Sequence, residues 1–489
     1  MKNNLLFEIK EDDFYSSYIP SNFFSIRTPK PTLLPILESK SQFDDMLDYL
    51  DLTNYHIKVY LIMTLFLLSD GCEMVVLSLV SSKMSEEWNL STSQKGIMGS
   101  SVFIGFFIGS LISGKISDFK GRKPTFKFGS LTVLIFSSIA AFSNGYKTFI
   151  LLRALCGVGI GVSLPAIFCL ATEISPSKYR SIVLTAVWAA FAFGEVFVII
   201  LSNIFINTSN GWRYIIALSS IPCLIVFIFS FYVQESPRYY LANSMFNEAF
   251  EGIMLIIDSS SSRKFFLTEA VKTRLIKEAN NIESNKIDVD FSLLLSQNYM
   301  YLSILIWVIF YCCSFVYYGV VFILPQIMEK ESMIDESLTG NDIFWGLIIS
   351  ALSEIPGFLF AGWLADLWFL GRLKSMAIGF IVSAISAFGA YFYPNHLTIF
   401  MSILKLAMAL PFNIITLYSC EAYPTKFRTM AVGVANSFTR FGGITTPFIS
   451  QILFALDYRI PFFAYGLVSV AGALCVLNLP FETNQRRIE

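Results

Sequence analysis

The chain has 489 residues, of which 55% are hydrophobic and 15% charged, with a mean hydropathy of +0.61. Soluble domains average about 25% charged residues, so lipid is the main solvent of this chain. A formal net charge of −1 excludes a strongly basic nucleic-acid binder. The two histidines, His56 and His396, read as a tail residue and a loop residue and are too few for a histidine-built metal site.

The first 56 residues are polar and mixed in charge. They hold no short apolar region followed by a small-residue cleavage site, so no cleaved leader is expected. A hydrocarbon core of about 30 Å needs about 20 apolar residues in a helix. Twelve such stretches follow, near 57–80, 95–116, 124–143, 147–170, 180–205, 212–233, 299–328, 341–365, 373–393, 396–420, 428–455 and 460–480. Between the sixth and seventh, residues 234–298 carry too many charges to cross and predict short amphipathic helices at the membrane surface. The expected organisation is a cytoplasmic tail (1–56), a six-helix half (57–233), a cytoplasmic central loop (234–298), a second six-helix half (299–480) and a cytoplasmic end (481–489). The eight cysteines fall in or at the ends of apolar stretches, which predicts packing residues rather than a disulfide framework.

With the amino terminus inside, the short inner loops and the end carry 13 Lys/Arg residues and the outer loops 6. That excess places both termini and the central loop in the cytoplasm. Two sequons, Asn89-Leu90-Ser91 and Asn207-Thr208-Ser209, fall in predicted outer loops.

An internal repeat runs through the two halves. Gly114-Lys-Ile-Ser-Asp118-Phe-Lys-Gly121-Arg122 after the second stretch returns as Gly362-Trp-Leu-Ala-Asp366, then Gly371-Arg372, after the eighth. Glu173-x2-Pro176-Ser177-Lys178-Tyr179-Arg180 after the fourth returns as Glu421-x2-Pro424-Thr425-Lys426-Phe427-Arg428 after the tenth. The Gly114, Asp118 and Glu173 landmarks each recur after 248 residues, and Glu235 recurs as Glu482 after 247. Six helices per half is even, so both halves have one orientation, related by an axis along the membrane normal. A substrate site is then expected between the halves, near the midplane.

These motifs resemble the major facilitator superfamily over about residues 55–485. Within it the chain is similar to the branch of synaptic-vesicle-2-related proteins, organic cation and anion transporters and aromatic-acid transporters. Glu235-Ser-Pro237-Arg238 is shared with sugar porters, but Cys312-Cys313 stands where sugar porters usually carry a glutamine pair. The resemblance implies an all-α fold of twelve transmembrane helices in two halves. It also implies a cytoplasmic gate of Gly114, whose missing side chain lets the second helix approach a neighbour closely, with Asp118, Arg122, Glu173 and Arg180, repeated by Asp366, Arg372, Glu421 and Arg428.

Ionisable groups inside spans cost about 2.5–3.5 kcal/mol each on insertion scales and mark function by default. Asp70 and Glu73 lie three apart, on one face of the first helix. Arg153, Glu195, Glu354, Lys405 and Arg440 lie in the fourth, fifth, eighth, tenth and eleventh. Four acids and three bases can pair into a largely neutral interior. Arg153 opens the glycine-rich run Gly157-x-Gly159-x-Gly161, which packing alone explains for the glycines but not for the arginine. Arg440 resembles a helix-11 arginine of organic-anion and aromatic-acid members, where cation-transporting relatives tend to carry an acid. Asp70 is the expected proton carrier, with Glu73 and Glu195 as alternatives. A fixed structural pair between Asp70 and Arg153 or Lys405 is the competing expectation. Trp188 and Tyr318 are candidate cavity aromatics.

The expected function is secondary transport of a small organic anion with protons, in the plasma membrane or a vesicle or vacuole membrane, by a monomer without cofactor or metal. The alternatives are a facilitator or exchanger of organic cations or neutral solutes such as sugars, and a non-transporting receptor or scaffold. An enzyme is not expected, since no nucleophile–base arrangement, phosphate loop or nucleotide-binding domain is present.

Overall fold

The computed structural model describes residues 42–50, 52–260, 267, 269–284, 291–334, 339–367, 370–423 and 428–483. Among them all regular structure is helical. A short helix α1 (Gln42–Leu50) precedes the first half: α2 (Asn54–Trp88), α3 (Thr92–Lys120), α4 (Arg122–Ala140), α5 (Tyr146–Ile174), α6 (Ser177–Phe205) and a broken sixth crossing, α7 (Gly211–Ser219) with α8 (Ile221–Ser230). The central segment holds α9 (Pro237–Ala242), α10 (Phe246–Asp258) and α11 (Glu269–Ser284). The second half is α12 (Met300–Ile334), a broken crossing α13 (Gly340–Leu352) with α14 (Glu354–Asp366), α15 (Gly371–Phe392), α16 (Leu397–Ala422), α17 (Arg428–Leu456) and α18 (Ile460–Leu477).

Local sequence explains the boundaries. Ser91 and Gln94 form a reciprocal capping box at the start of α3, with Gln94 N–H donating to Ser91 Oγ and Ser91 N–H to Gln94 Oε1. Both breaks precede a proline, Pro222 and Pro356, which lacks the N–H that would continue the ladder. Ten helices or helix pairs are long and apolar enough to cross a bilayer. The more polar α4 and α17 complete the twelve: α4 begins with Arg122 and Lys123, and α17 turns Thr439 and Arg440 inward.

The repeat in sequence is a repeat in packing. α3 packs on α5 as α14 packs on α16, α4 on α5 as α15 on α16, and α4 on α8 as α15 on α18. The two halves meet through α3 and α17, through α6 with α13 and α14, and through α2 and α12. The end carrying α9–α11 is termed the inner end.

The halves touch in their outer parts. Ser100 Oγ donates to Ile444 O (2.6 Å) and Ser82 Oγ to Glu329 Oε2 (2.7 Å). A Cβ on Gly99 would meet Phe322 and Pro447, and one on Gly443 would meet Phe103. Toward the inner end Gly114 and Gly433 face open space, and Thr416 and Asn436 are exposed. The seam is closed outside and parted inside.

Two expectations are corrected. Residues 42–50 are not simply polar tail: Phe43, Met46, Leu47 and Leu50 of α1 pack with Ile253, Ile256, Ile257 and Leu275 of the central helices. The central segment is therefore a small helical cap with its own apolar core. His56 is not a tail residue either. It lies buried in the first turn of α2, where Nε2 bonds Ile174 O (2.8 Å) and Nδ1 accepts from Thr53 N–H (3.0 Å).

A charged seam between the two halves

The seven intramembrane charges come together in three groups. In the first, Glu73 of α2 meets Arg153 of α5. Arg153 Nη1 donates to Glu73 Oε2 and Nη2 to Glu73 O, both at 2.7 Å. Ser137 of α4 donates to Glu73 Oε1 at 2.5 Å. Both charged side chains are fully buried. Neutralisation by a close partner is what makes such burial tolerable. The pair ties three helices of one half together. Arg153 enters because the glycine run beside it lets neighbours approach: Cβ atoms on Gly157 and Gly161 would strike Val102 O and Phe106 O of α3.

The second group crosses the seam. Lys405 Nζ of α16 lies 2.7 Å from Glu195 Oε2 of α6 and 2.7 Å from Glu354 Oε1 of α14. Tyr317 of α12 donates to Glu354 Oε2 at 2.7 Å. All four residues are buried.

The third group also crosses it. Asp70 of α2 lies in the electrostatic field of Arg440 of α17 and of Glu73. Arg440 is stacked on the Phe106 ring, 3.6 Å from its centroid. Both charges are buried, and Asp70 Oδ1 and Arg440 Nε have no hydrogen-bond partner among the described residues. Glu73, by contrast, has both carboxylate oxygens bonded, one by Arg153 and one by Ser137. The expected fixed pairing of Asp70 with Arg153 or Lys405 is not formed, because those bases are held by other acids. Trp188 stacks with Phe358 and packs near Phe412, and Tyr318 packs edge-on against Phe103, so both candidate aromatics sit at the seam.

At the inner end Arg122 joins Glu173 (3.0 Å) and, more loosely, the exposed Asp118 (3.6 Å). Arg372 joins Glu421 (3.1 Å) in the second half. Each of these ion pairs lies within its own half. The side chains of Arg180, Asp366 and Arg428 lie outside the described residues. The close approach expected at Gly114 is corrected: a Cβ there would meet nothing within 4 Å. Gly105 and Gly109 do that work, since Cβ atoms there would strike Ala154 O and Val158 O of α5.

The role of the repeated glutamates is new. Glu235 accepts from the N–H groups of Arg122 (3.0 Å) and Lys123 (3.1 Å), at the start of α4. Glu482 accepts from Arg372 (2.9 Å) and Leu373 (3.0 Å), at the start of α15. A carboxylate there bonds free backbone donors at the positive end of a helix. Gly121 (φ +100°) precedes α4 and Gly371 (φ +67°) opens α15, and a Cβ on either would fall within 2.7 Å of the glutamate. The 247-residue offset of Glu235 and Glu482 was the signal for this.

Comparison with known proteins agrees with this architecture. The sugar (and other) transporter family matches residues 59–350, and the Major Facilitator Superfamily matches residues 331–487. The putative transporter svop-1 of Caenorhabditis elegans is 28% identical over 469 residues, covering 93% of this chain and 88% of that protein. Synaptic vesicle 2-related protein of Xenopus laevis is 28% identical, covering 91% of this chain and 82% of its own. Organic cation/carnitine transporter 7 of Arabidopsis thaliana is also 28% identical, with coverages of 86% and 90%. Among solved structures, the xylose transporter XylE of E. coli in a partially occluded inward-open conformation aligns with a TM-score of 0.70 at 19% identity, over 88% of this chain and all of that one. The proton:xylose symporter XylE bound to 6-bromo-6-deoxy-D-glucose gives 0.71 at 20% identity, over 89% and 98%. This chain belongs to the sugar (and other) transporter family of the major facilitator superfamily, and is a multi-pass membrane transporter of the sugar and organic-solute type.

Proposed function

We propose that the chain moves a small organic anion by alternating access with a proton as coupling ion. The observation that supports this is the Asp70–Arg440 group. Arg440 is a buried cation at the seam whose guanidinium is not consumed by a close carboxylate. An incoming carboxylate would supply the charge-assisted bonds it lacks. Asp70, on the other half, lies in the field of Arg440 without an ion-pair contact, so one arginine can serve either the carboxylate of Asp70 or the anionic group of a solute. When a solute takes Arg440, Asp70 loses its counter-charge and binds a proton. Solute and proton then travel together. The inner end is cytoplasmic, as the Lys/Arg excess there favours, and the gate residues at that end close it when the outer seam opens. The protein works as a monomer in the plasma membrane or a vesicle membrane, the latter in keeping with the name of its synaptic vesicle 2-related relatives.

A second reading, transport of a neutral sugar, draws on the family description and on the sugar-bound structure that aligns with the chain. One experiment separates the two. Proteoliposomes are offered a mixed pool of organic anions, organic cations and sugars, and uptake is read by mass spectrometry with and without a proton gradient. Gradient-dependent gain of an anion supports the proposal. Uptake confined to sugars or cations, or indifferent to the gradient, overturns it.

A further inference from the structure

A second concave surface lies away from the seam, on the flank of the first half at the inner end. It is a groove of about 750 Å³, within the usual range of ligand pockets. Its walls are the start of α2, the end of α8 with the residues after it, and the last turn of α10. Leu61, Phe229, Tyr232 and Leu255 line it and are exposed. Leu61 and Phe229 belong to helices that cross the bilayer, so hydrocarbon is their solvent. One end of the groove is fixed by hydrogen bonds that tie α10 to the start of α2. Asn54 N–H donates to Ser259 O (3.3 Å), and Ser259 Oγ donates to Thr53 Oγ1 (2.9 Å).

Charge borders this apolar slot on one side. Lys58 lines it, is exposed, and has no ion pair or hydrogen bond among the described residues. Lys127 Nζ lies 4.1 Å from the centroid of the Phe231 ring, and Lys123 Nζ donates to Gln234 Oε1 at 3.3 Å. Phe231 and Gln234 are both groove residues. Two acids are near. Asp258 is the last residue of α10, and Glu235 is already taken by the backbone N–H groups of Arg122 and Lys123. The positive groups therefore outnumber the negative. Lys58 lies one helical turn nearer the inner end than Leu61 and Ile62. Cation and apolar wall thus follow one another along α2 as headgroup and acyl chain follow one another across a leaflet.

We infer that this groove binds one anionic phospholipid, with an acyl chain along Leu61, Ile62 and Phe229 and the phosphate at Lys58 and Lys123. The apolar depth selects a lipid over a free phosphate. The lysines select an anionic headgroup over a neutral one, as basic pockets beside crossing helices do on the cytoplasmic side. α2 and α8 belong to the first half and α10 to the cap, so the bound lipid joins the two. The site needs no solute and does not involve Asp70 or Arg440, so it stands or falls apart from the transport reading above.

The test is native mass spectrometry of the full chain, stripped of lipid in detergent and offered palmitoyl-oleoyl phosphatidylglycerol and phosphatidylcholine at equal concentration. The parent should retain one phosphatidylglycerol per chain, severalfold in excess of phosphatidylcholine. Lys58→Gln should lower phosphatidylglycerol retention about fivefold, the effect of about 1 kcal/mol per basic residue at an anionic surface, and leave phosphatidylcholine retention as it was. Leu61→Trp, which fills the groove, should lower retention of both lipids. Leu467→Trp, at a comparably exposed position of α18, should behave as the parent. All three substitutions are at exposed positions, and an unchanged Tm without added lipid checks that each variant folds. Millimolar inorganic phosphate should not displace the lipid. Equal retention of the two lipids by the parent, parent-level phosphatidylglycerol retention in Lys58→Gln, or a loss in Leu467→Trp as large as in Leu61→Trp overturns the inference. So does displacement by phosphate, which would mark a free-anion site, or a dimer that Leu61→Trp dissociates, which would seat a second copy of the chain there.

Discussion

Lys405 stands 2.7 Å from Glu195 and so ties the second half of the bundle to the first. Replacing it with methionine leaves two buried carboxylates beside each other with no cation. Removing one partner of a buried pair costs about 3–5 kcal/mol. Lys405→Met should lower the Tm in detergent clearly, and adding Glu195→Gln should recover part of the loss. A Tm unchanged by Lys405→Met would show that the group is not paired in the folded protein.

The Glu73–Arg153 pair is expected to behave differently. It lies inside one half, with both Glu73 carboxylate oxygens bonded, so it is expected to hold helices rather than move charge. Arg153→Met and Glu73→Gln should each destabilise by about 3–5 kcal/mol. The double variant should lose less than the sum, which a double-mutant cycle measures. Purely additive losses would contradict the pairing.

Gly121 is held by two independent demands, a positive φ of +100° and the nearness of Glu235. Gly121→Ala should therefore cost about 1–3 kcal/mol and detach the cap from α4. Thermal denaturation checks it, with Gly114→Ala as the control. Because Gly114 faces open space, that control should stay near the parent.

How much of this was legible depended on the kind of signal. Ten of the twelve crossings follow from apolar length, and the 248-residue repeat matches the packing of α3 on α5 with that of α14 on α16. The partners of Arg153 and Lys405 were not legible, since helix spacing places residues on a face but does not say which helix that face meets. Position misled at Gly114, the glycine within the recognisable motif. The packing glycines are Gly105 and Gly109, whose spacing of four matches Gly157 and Gly161 on the facing helix. The apolar stripe Phe43, Met46, Leu47 and Leu50 has helical periodicity, yet it sits in a polar surrounding that masked it.

Asp118 is the exposed member of the inner-end cluster, 3.6 Å from Arg122. Surface ion pairs are weak, but a weak pair that differs between two states of similar energy shifts their populations severalfold. Asp118→Asn should slow solute uptake severalfold while leaving the affinity of binding nearly unchanged. Transport at the parent rate would remove Asp118 from the gate.

The account's central claim is that Asp70 carries the coupling proton opposite Arg440. The measurement that tests it most directly compares two activities of Asp70→Asn in proteoliposomes: uphill accumulation of the solute under an imposed proton gradient, and counterflow exchange of the same solute without one. The account predicts that accumulation is abolished while counterflow persists. Accumulation at the parent level would contradict it, and so would loss of both activities in a variant that retains the parent's Tm.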